Sequence, residues 1–139
     1  MTGILVDTCV WSIALRGNTS KDTKIAEELT QLIDDNQVKI MGAIRQELLS
    51  GYSDKKSYEQ LRTKLKFFPN EPVLDADYEA AAEYSNFCRA KGIQGSHTDF
   101  LICAVALRGK LKIFTTDKDF NNYSKHLPIS IYGIRLTKP

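Results

Sequence analysis

Gly3-Ile4-Leu5-Val6-Asp7-Thr8-Cys9 is the stretch that decides the fold. Three consecutive apolar residues, two of them β-branched, suit a strand buried on both faces. Such a strand is central in its sheet, with helices above and below. The run stops at an acid, Asp7. In open parallel sheets ligands gather at the carboxyl ends of the strands, where the connections change direction. Asp7 has two readings at this point. It is either an N-cap for the helix that follows or a member of a site at the strand ends.

Working outward, Trp11, Ile13, Ala14 and Leu15 predict a short helix ending near Arg16-Gly17-Asn18. Ser20 is a candidate cap for a second helix, with Ile25, Ala26, Leu29, Leu32 and Ile33 at spacings of three and four. Val38-Lys39-Ile40-Met41 reads as a strand, Ala43 to Gly51 as a helix, and Lys55 to Phe68 as a polar helix. Pro69 to Pro72 is a loop, followed by a minimal strand at Val73-Leu74. Asp77 to Lys91 is an Ala-rich helix closed by Gly92, and His97 to Arg108 a strongly apolar one stopped by Gly109. Lys112 to Thr115 is a strand, Asp117 to Tyr123 a helical turn, and Ile129 to Ile131 a last strand. Alternating strands and helices give an α/β class, a three-layer α/β/α domain with a mainly parallel central sheet.

Composition narrows the class. The 139 residues suit a single domain, 1–139, with one core. Apolar residues make up 42% and charged residues 26%, the balance of a soluble globular chain and not a disordered one. The longest wholly apolar run, Phe100 to Leu107, has eight residues; a membrane-spanning helix needs roughly 18–20. No basic n-region precedes the first apolar stretch, so no signal peptide is expected. Cys9, Cys88 and Cys103 are odd in number and lack C-x-x-C spacing, which predicts reduced core thiols in a cytoplasmic protein. A net charge of +2 does not imply nucleic acid unaided. If four of the 17 acids share one pocket, however, the rest of the chain sets 19 bases against 13 acids. That distribution suits a polyanion gripped around an acidic centre.

Three further acids fall at notable places. At about 100° per residue, Glu47 projects between Ile44 and Leu48, on the inward side of its helix. Asp99 opens the stripe Ile102, Cys103 and Ala106. Asp117 follows the strand ending at Thr115-Thr116, as Asp7 follows its own strand. Each has a plainer reading. A lone Glu is by default a surface residue. Ser96-x-x-Asp99 fits a capping box, and Asp117 fits a strand-to-helix cap with Asp119 simply solvated. A cap and a ligand are not exclusive.

A resemblance carries the argument further. Val6-Asp7-Thr8-x-Val10-Trp11, Glu47-Leu48-Leu49-x-Gly51, Asp99-x-x-Ile102-x-Ala104-x-Ala106 and Thr115-x-Asp117-x-Asp119-Phe120 resemble the successive motifs of PIN-domain nucleases, VapC-type toxins of toxin–antitoxin pairs above all. The resemblance runs from Ile4 to about Ile131. It implies strand order 3-2-1-4-5, with Asp7 and Asp117 in the crevice between strands one and four. It implies catalytic metal ligands at Asp7, Glu47, Asp99 and Asp117, and a supporting hydroxyl at Thr115. It also implies an RNA substrate, a small cognate antitoxin and a homodimer. One position departs from the family: Cys9 stands where Ser or Asn is usual, and a thiol is the weaker hydrogen-bond partner.

Carboxylates without a Cys/His cluster select hard cations, Mg²⁺ or Mn²⁺, and phosphodiester hydrolysis suits such a site. The function expected is a metal-dependent endoribonuclease, with the chain's length favouring a toxin over a module of a larger RNA-processing factor. Arg16, Arg45, Lys91 and Lys118 flank the acids and are candidate phosphate contacts. Neither His97, at a helix start, nor His126, in a loop, is expected to bind metal. The competing readings are a phosphoacceptor signalling module and a catalytically silent PIN-like RNA-binding scaffold. The first needs an acceptor Asp ending a middle strand, for which Val73-Leu74-Asp75 is slight. The second should have lost an acid, and none is lost.

Overall fold

The structure, a computed structural model, describes residues 3–16 and 19–133. In chain order the elements are β1 (Ile4–Val6), α1 (Thr8–Arg16), α2 (Ser20–Asp34), β2 (Val38–Lys39), α3 (Gly42–Ser50), α4 (Lys55–Leu65), α5 (Asp75–Ala90), α6 (His97–Gly109), β3 (Lys112–Phe114), α7 (Asp119–Ser124) and β4 (Ser130–Ile131). The four strands form one parallel sheet in the order β2-β1-β3-β4. Ile4, Leu5 and Val6 are all buried, as a central strand covered on both faces requires. The connection from β1 leads to one side of the sheet and that from β3 to the other. The point where the direction reverses therefore lies between β1 and β3, at their carboxyl ends. Among the described residues no helix is long and apolar enough to cross a membrane.

The expected third strand is the main difference. Val73-Leu74 is not a strand. The chain makes only an isolated parallel bridge, Ile40 with Asn70, outside β2. The order 3-2-1-4-5 is kept with its outermost strand reduced to that bridge. The reason lies in where the backbone donors go. Pro69 and Pro72 have none to offer, and the Leu74 N–H is taken by the Asp77 carboxylate at 2.8 Å. Strand two is correspondingly short, because Met41 already stands at the N-cap position of α3.

Other boundaries moved for local reasons. Thr19, not Ser20, caps α2, its side chain accepting from the Asp22 N–H at 3.0 Å. Helix α6 runs through Gly109 and is closed by Lys110, which takes the left-handed conformation at φ 56°. Helix α4 stops at Leu65, and Arg45 of α3 holds its end and the chain that follows. The Arg45 guanidinium donates to Leu65 O at 2.9 Å, to Phe68 O and to Asn70 Oδ1 at 3.0 Å. Arg45 is thus a latch between α3 and the α4 end and not a free phosphate contact. Trp11 pins α1 to the sheet, donating from Nε1 to Val6 O at 3.1 Å while its ring meets Phe68 edge-on.

Helix α5 starts at Asp75, earlier than its pattern suggested, and carries a buried acid. Asp77, 2% exposed, accepts Arg108 Nε on both oxygens at 2.8 and 2.9 Å. A second Arg108 nitrogen donates to Pro72 O at 2.7 Å. Burial opposes ionisation of Asp77, but Arg108 and the Leu74 N–H outweigh it and hold the carboxyl below its ordinary value. This pair ties the start of α5 to the end of α6. Arg108→Ala should cost about 2–4 kcal/mol, less than for a sealed pair because the guanidinium reaches solvent. Urea denaturation of the two proteins measures it, and a loss under 1 kcal/mol, roughly that of an exposed pair, would show that Asp77 finds another partner.

Candidate active site

The site is built from the β1 end outward. Backbone pairing of β1 with β3 runs to its last rung, the Asp7 N–H donating to Phe114 O at 2.9 Å. The chain then turns into α1, and the Asp7 carbonyl accepts from Val10 and Trp11. Its backbone therefore caps α1, while its carboxylate is held by donors from two elements. Oδ1 accepts the Thr8 N–H and Oδ2 the Thr115 hydroxyl, each at 2.8 Å. Asp7 is 8% exposed. Burial pushes its carboxyl above the ordinary value, against those hydrogen bonds, and the Glu47 charge adds to the rise.

Thr115 reaches both acids at the strand ends. Its hydroxyl donates to Asp7 and accepts the Asp117 N–H at 3.0 Å. Asp117 in turn accepts the Asp119 N–H on Oδ1 at 2.9 Å, so it does cap the turn into α7. Cys9 is half-buried beside them. The thiol expected in the core lies at the edge of the site instead. Its Sγ accepts the Thr116 N–H at 3.3 Å and stands 3.7 Å from Asp7 Oδ2. Cys88 and Cys103 are buried and free, as expected.

Asp99, in the first turn of α6, is half-buried. Its N–H donates to Ser96 Oγ at 3.0 Å, the cap that the Ser96-x-x-Asp99 spacing predicts. Its carboxylate is used elsewhere, with Oδ2 accepting the Tyr123 hydroxyl at 2.7 Å. Burial raises the Asp99 carboxyl, Tyr123 and Ser96 oppose the rise, and the charges of Asp7 and Asp117 add to it. Glu47 differs from its expected inward position. Ile44 and Leu48 on either side are buried, but Glu47 is exposed at the rim, where Oε1 accepts the Thr8 hydroxyl at 2.9 Å.

The four acids are thus linked electrostatically, Glu47 to Asp7 and both Asp7 and Asp117 to Asp99. Asp99, Asp117 and Asp119 can each bring one oxygen within 4.8 Å of the others. Asp119, set aside as solvated on sequence grounds, stands in that group. Sequence reasoning also passed over Tyr123, whose place in an apolar pattern with Phe120 marks it only as core, and gave Thr8 no role. Of the flanking bases, Arg16 and Lys118 are exposed, and the Lys91 ammonium lies 5.4 Å from the Phe87 ring centre. The donor set is all carboxylate, which fits a hard, oxygen-seeking cation.

The acids gather at the switch point of a parallel α/β sheet, where such folds place their ligands. A family model described as PIN domain matches residues 4–126, and the chain belongs to that family. Among solved structures it is similar to FitAcB from Neisseria gonorrhoeae, at 21% identity over 94% of this chain and 96% of that one, with a TM-score of 0.75. It is similar also to VapBC2 from Rickettsia felis bound to a promoter DNA fragment, at 17% identity over 92% and 95%, TM-score 0.71. A toxin–antitoxin complex from Klebsiella pneumoniae follows at 20% identity over 85% and 90%, TM-score 0.60. None of the curated proteins matches the chain significantly.

The raised carboxyls of Asp7 and Asp99 fix a sign. Both bind protons more tightly folded than unfolded. The metal-free protein should therefore gain stability as pH falls through their raised values toward the ordinary carboxylate range, where the gain ends. Asp7→Asn should melt higher than wild type without metal at neutral pH, by about 3–5 °C per kcal/mol relieved at this chain length. Its melting temperature should also depend less on pH. Thermal melts in EDTA across that range test both, and an Asp7→Asn protein that melts lower counts against a crowded acidic site.

Proposed function

We propose that this chain is a Mg²⁺- or Mn²⁺-dependent endoribonuclease, the cytoplasmic toxin of a toxin–antitoxin pair. The observation that carries the reading is the convergence of acids from separate elements on the β1–β3 crevice, with no thiolate or imidazole donor set among them. Asp7, Glu47, Asp99 and Asp117 are the proposed metal-holding residues. A bound cation would supply an activated water and neutralise the phosphate oxygens. The protein's own part is to hold its carboxylates in place beforehand. The Thr115 hydroxyl and the Thr8 N–H fix Asp7, and the Thr8 hydroxyl fixes Glu47. Asp117 is preferred over Asp119 because its N–H shares the Thr115 hydroxyl with Asp7, which sets the two acids in one frame.

The toxin role and the antitoxin partner rest on the VapC-like motifs, and on the likeness to solved assemblies, one of them a toxin–antitoxin complex. A homodimer is proposed on the same resemblance. Exposed Tyr78, with Ala82, Ser85 and Arg89 on the same face of α5 and Leu101 of α6, lines an open groove that offers it a surface. The phosphoacceptor alternative loses its footing, because Asp75 begins α5 and ends no strand. A silent scaffold should have lost an acid, and Asp7, Glu47, Asp99 and Asp117 are all present.

Purified protein should cleave total cellular RNA with Mg²⁺ or Mn²⁺ and stop in EDTA at matched ionic strength. Cleavage that persists in EDTA rules out the metal mechanism, and metal binding without cleavage supports the scaffold. Asp117→Asn should cost more activity than Asp119→Asn; the reverse order would exchange their roles. Expression alone should arrest growth, and co-expression of a small neighbouring gene should relieve it. An active nuclease that is harmless when well expressed would be a housekeeping enzyme.

A further inference from the structure

Tyr123 is a polar side chain spent entirely on one acid. It is fully buried, between Phe100 and Phe120, with ring centres at 4.9 and 5.1 Å. Its hydroxyl emerges from that aromatic cluster only to donate to Asp99 Oδ2 at 2.7 Å. A donor from a phenol to a carboxylate is among the stronger hydrogen bonds. It fixes one oxygen of a carboxylate that stands with Asp117 and Asp119, each offering an oxygen within 4.8 Å of the others.

Gly95 completes the arrangement. A Cβ there would lie 2.7 Å from Tyr123 Cζ and closer still to its hydroxyl. The backbone at Gly95 is not left-handed, so the glycine is needed for space and not for conformation. Tyr123 also belongs to α7, which begins at Asp119, two residues after Asp117. One hydroxyl thereby ties α7, and the turn that carries Asp117 and Asp119, to the α6 start that carries Asp99.

We propose that Tyr123 is a positioning residue that sets the Asp99 carboxylate for a divalent cation, with Gly95 as the clearance its hydroxyl requires. The inference rests on the metal-dependent reading above. Partners that orient metal ligands are commonly worth 10- to 100-fold in affinity. Tyr123→Phe keeps the ring among Phe100 and Phe120 and removes only the donor. Tyr132→Phe is the control, since that hydroxyl donates to the Glu28 carboxylate and not to Asp99.

The experiment is calorimetric titration with Mn²⁺ of wild type, Tyr123→Phe, Gly95→Ala and Tyr132→Phe, paired with RNA cleavage across a Mn²⁺ series. Tyr123→Phe should bind Mn²⁺ about 10- to 100-fold more weakly. The Mn²⁺ midpoint of cleavage should rise by the same factor, and kcat should recover at saturating Mn²⁺. A purely structural role would lower the folded fraction without moving that midpoint. Gly95→Ala should weaken Mn²⁺ binding in the same direction, and it decides the matter if Tyr123→Phe does not fold. Tyr132→Phe should bind as wild type does. A folded Tyr123→Phe protein with wild-type Mn²⁺ affinity overturns the proposal while leaving the metal reading intact. Wild type that binds no Mn²⁺ overturns the metal reading and this proposal with it.

Discussion

The hydrogen bond from the Thr115 hydroxyl to Asp7 is the contact on which the site depends. It joins the ends of the two central strands just where their backbone pairing stops. Because the same hydroxyl accepts the Asp117 N–H, a single side chain sets the acid after β1 and the acid after β3 in one frame. That sharing is possible only in a parallel pair, where both strands end on the same side. The sheet order therefore sets the geometry of the candidate site, through β1 lying next to β3.

Such a frame is expensive. Asp7 is buried and Asp99 half-buried, each near other acids, and burial raises both carboxyls. The rest of the domain offsets this with ordinary devices. Leu5, Val6, Phe100 and Ile113 fill the centre, and Arg45 and Arg108 close helix ends against carbonyls and a buried carboxylate. Among the described residues every buried side-chain nitrogen or oxygen has a hydrogen-bond partner. The two raised carboxyls, Asp7 and Asp99, both belong to the crevice, as expected where a protein trades stability for a site.

Much of the fold was legible because it rests on period and punctuation. The apolar β1 run, the caps at Ser96 and the alternation of elements needed no tertiary information. The third strand was misread because Val73-Leu74 has strand-like residues but the Leu74 N–H is drawn to a cap. Arg45 was misread because a base beside an acid suggests a ligand contact, while its partners include carbonyls 20 and 23 positions further along the chain. Glu47 was placed inward by helix geometry, yet a long side chain at the edge of a buried stripe can turn to the rim. There it met Thr8, a partner from another helix that spacing alone cannot reveal. Tyr123 shows the same limit. Its apolar setting was readable, but the direction of its hydroxyl was not.

The anchors of the acids come from separate parts of the chain. Asp7 is held from β1's own turn and from the end of β3, Glu47 from α1, and Asp99 from α7. Two residues serve two acids each: Thr115 holds Asp7 and Asp117, and Thr8 holds Asp7 through its N–H and Glu47 through its hydroxyl, so a shift of α1 would disturb two carboxylates at once. Cys9 fits this scheme. A thiol is a poor partner for a carboxylate, and its 3.7 Å approach to Asp7 is long, whereas the Thr116 N–H reaches it at 3.3 Å. Its closer contacts are to the Thr116 N–H and, at 3.4 Å, to the shared Thr115 hydroxyl itself. The departure at position 9 weakens a direct hold on Asp7 and keeps an indirect one through the strand end that carries Thr115.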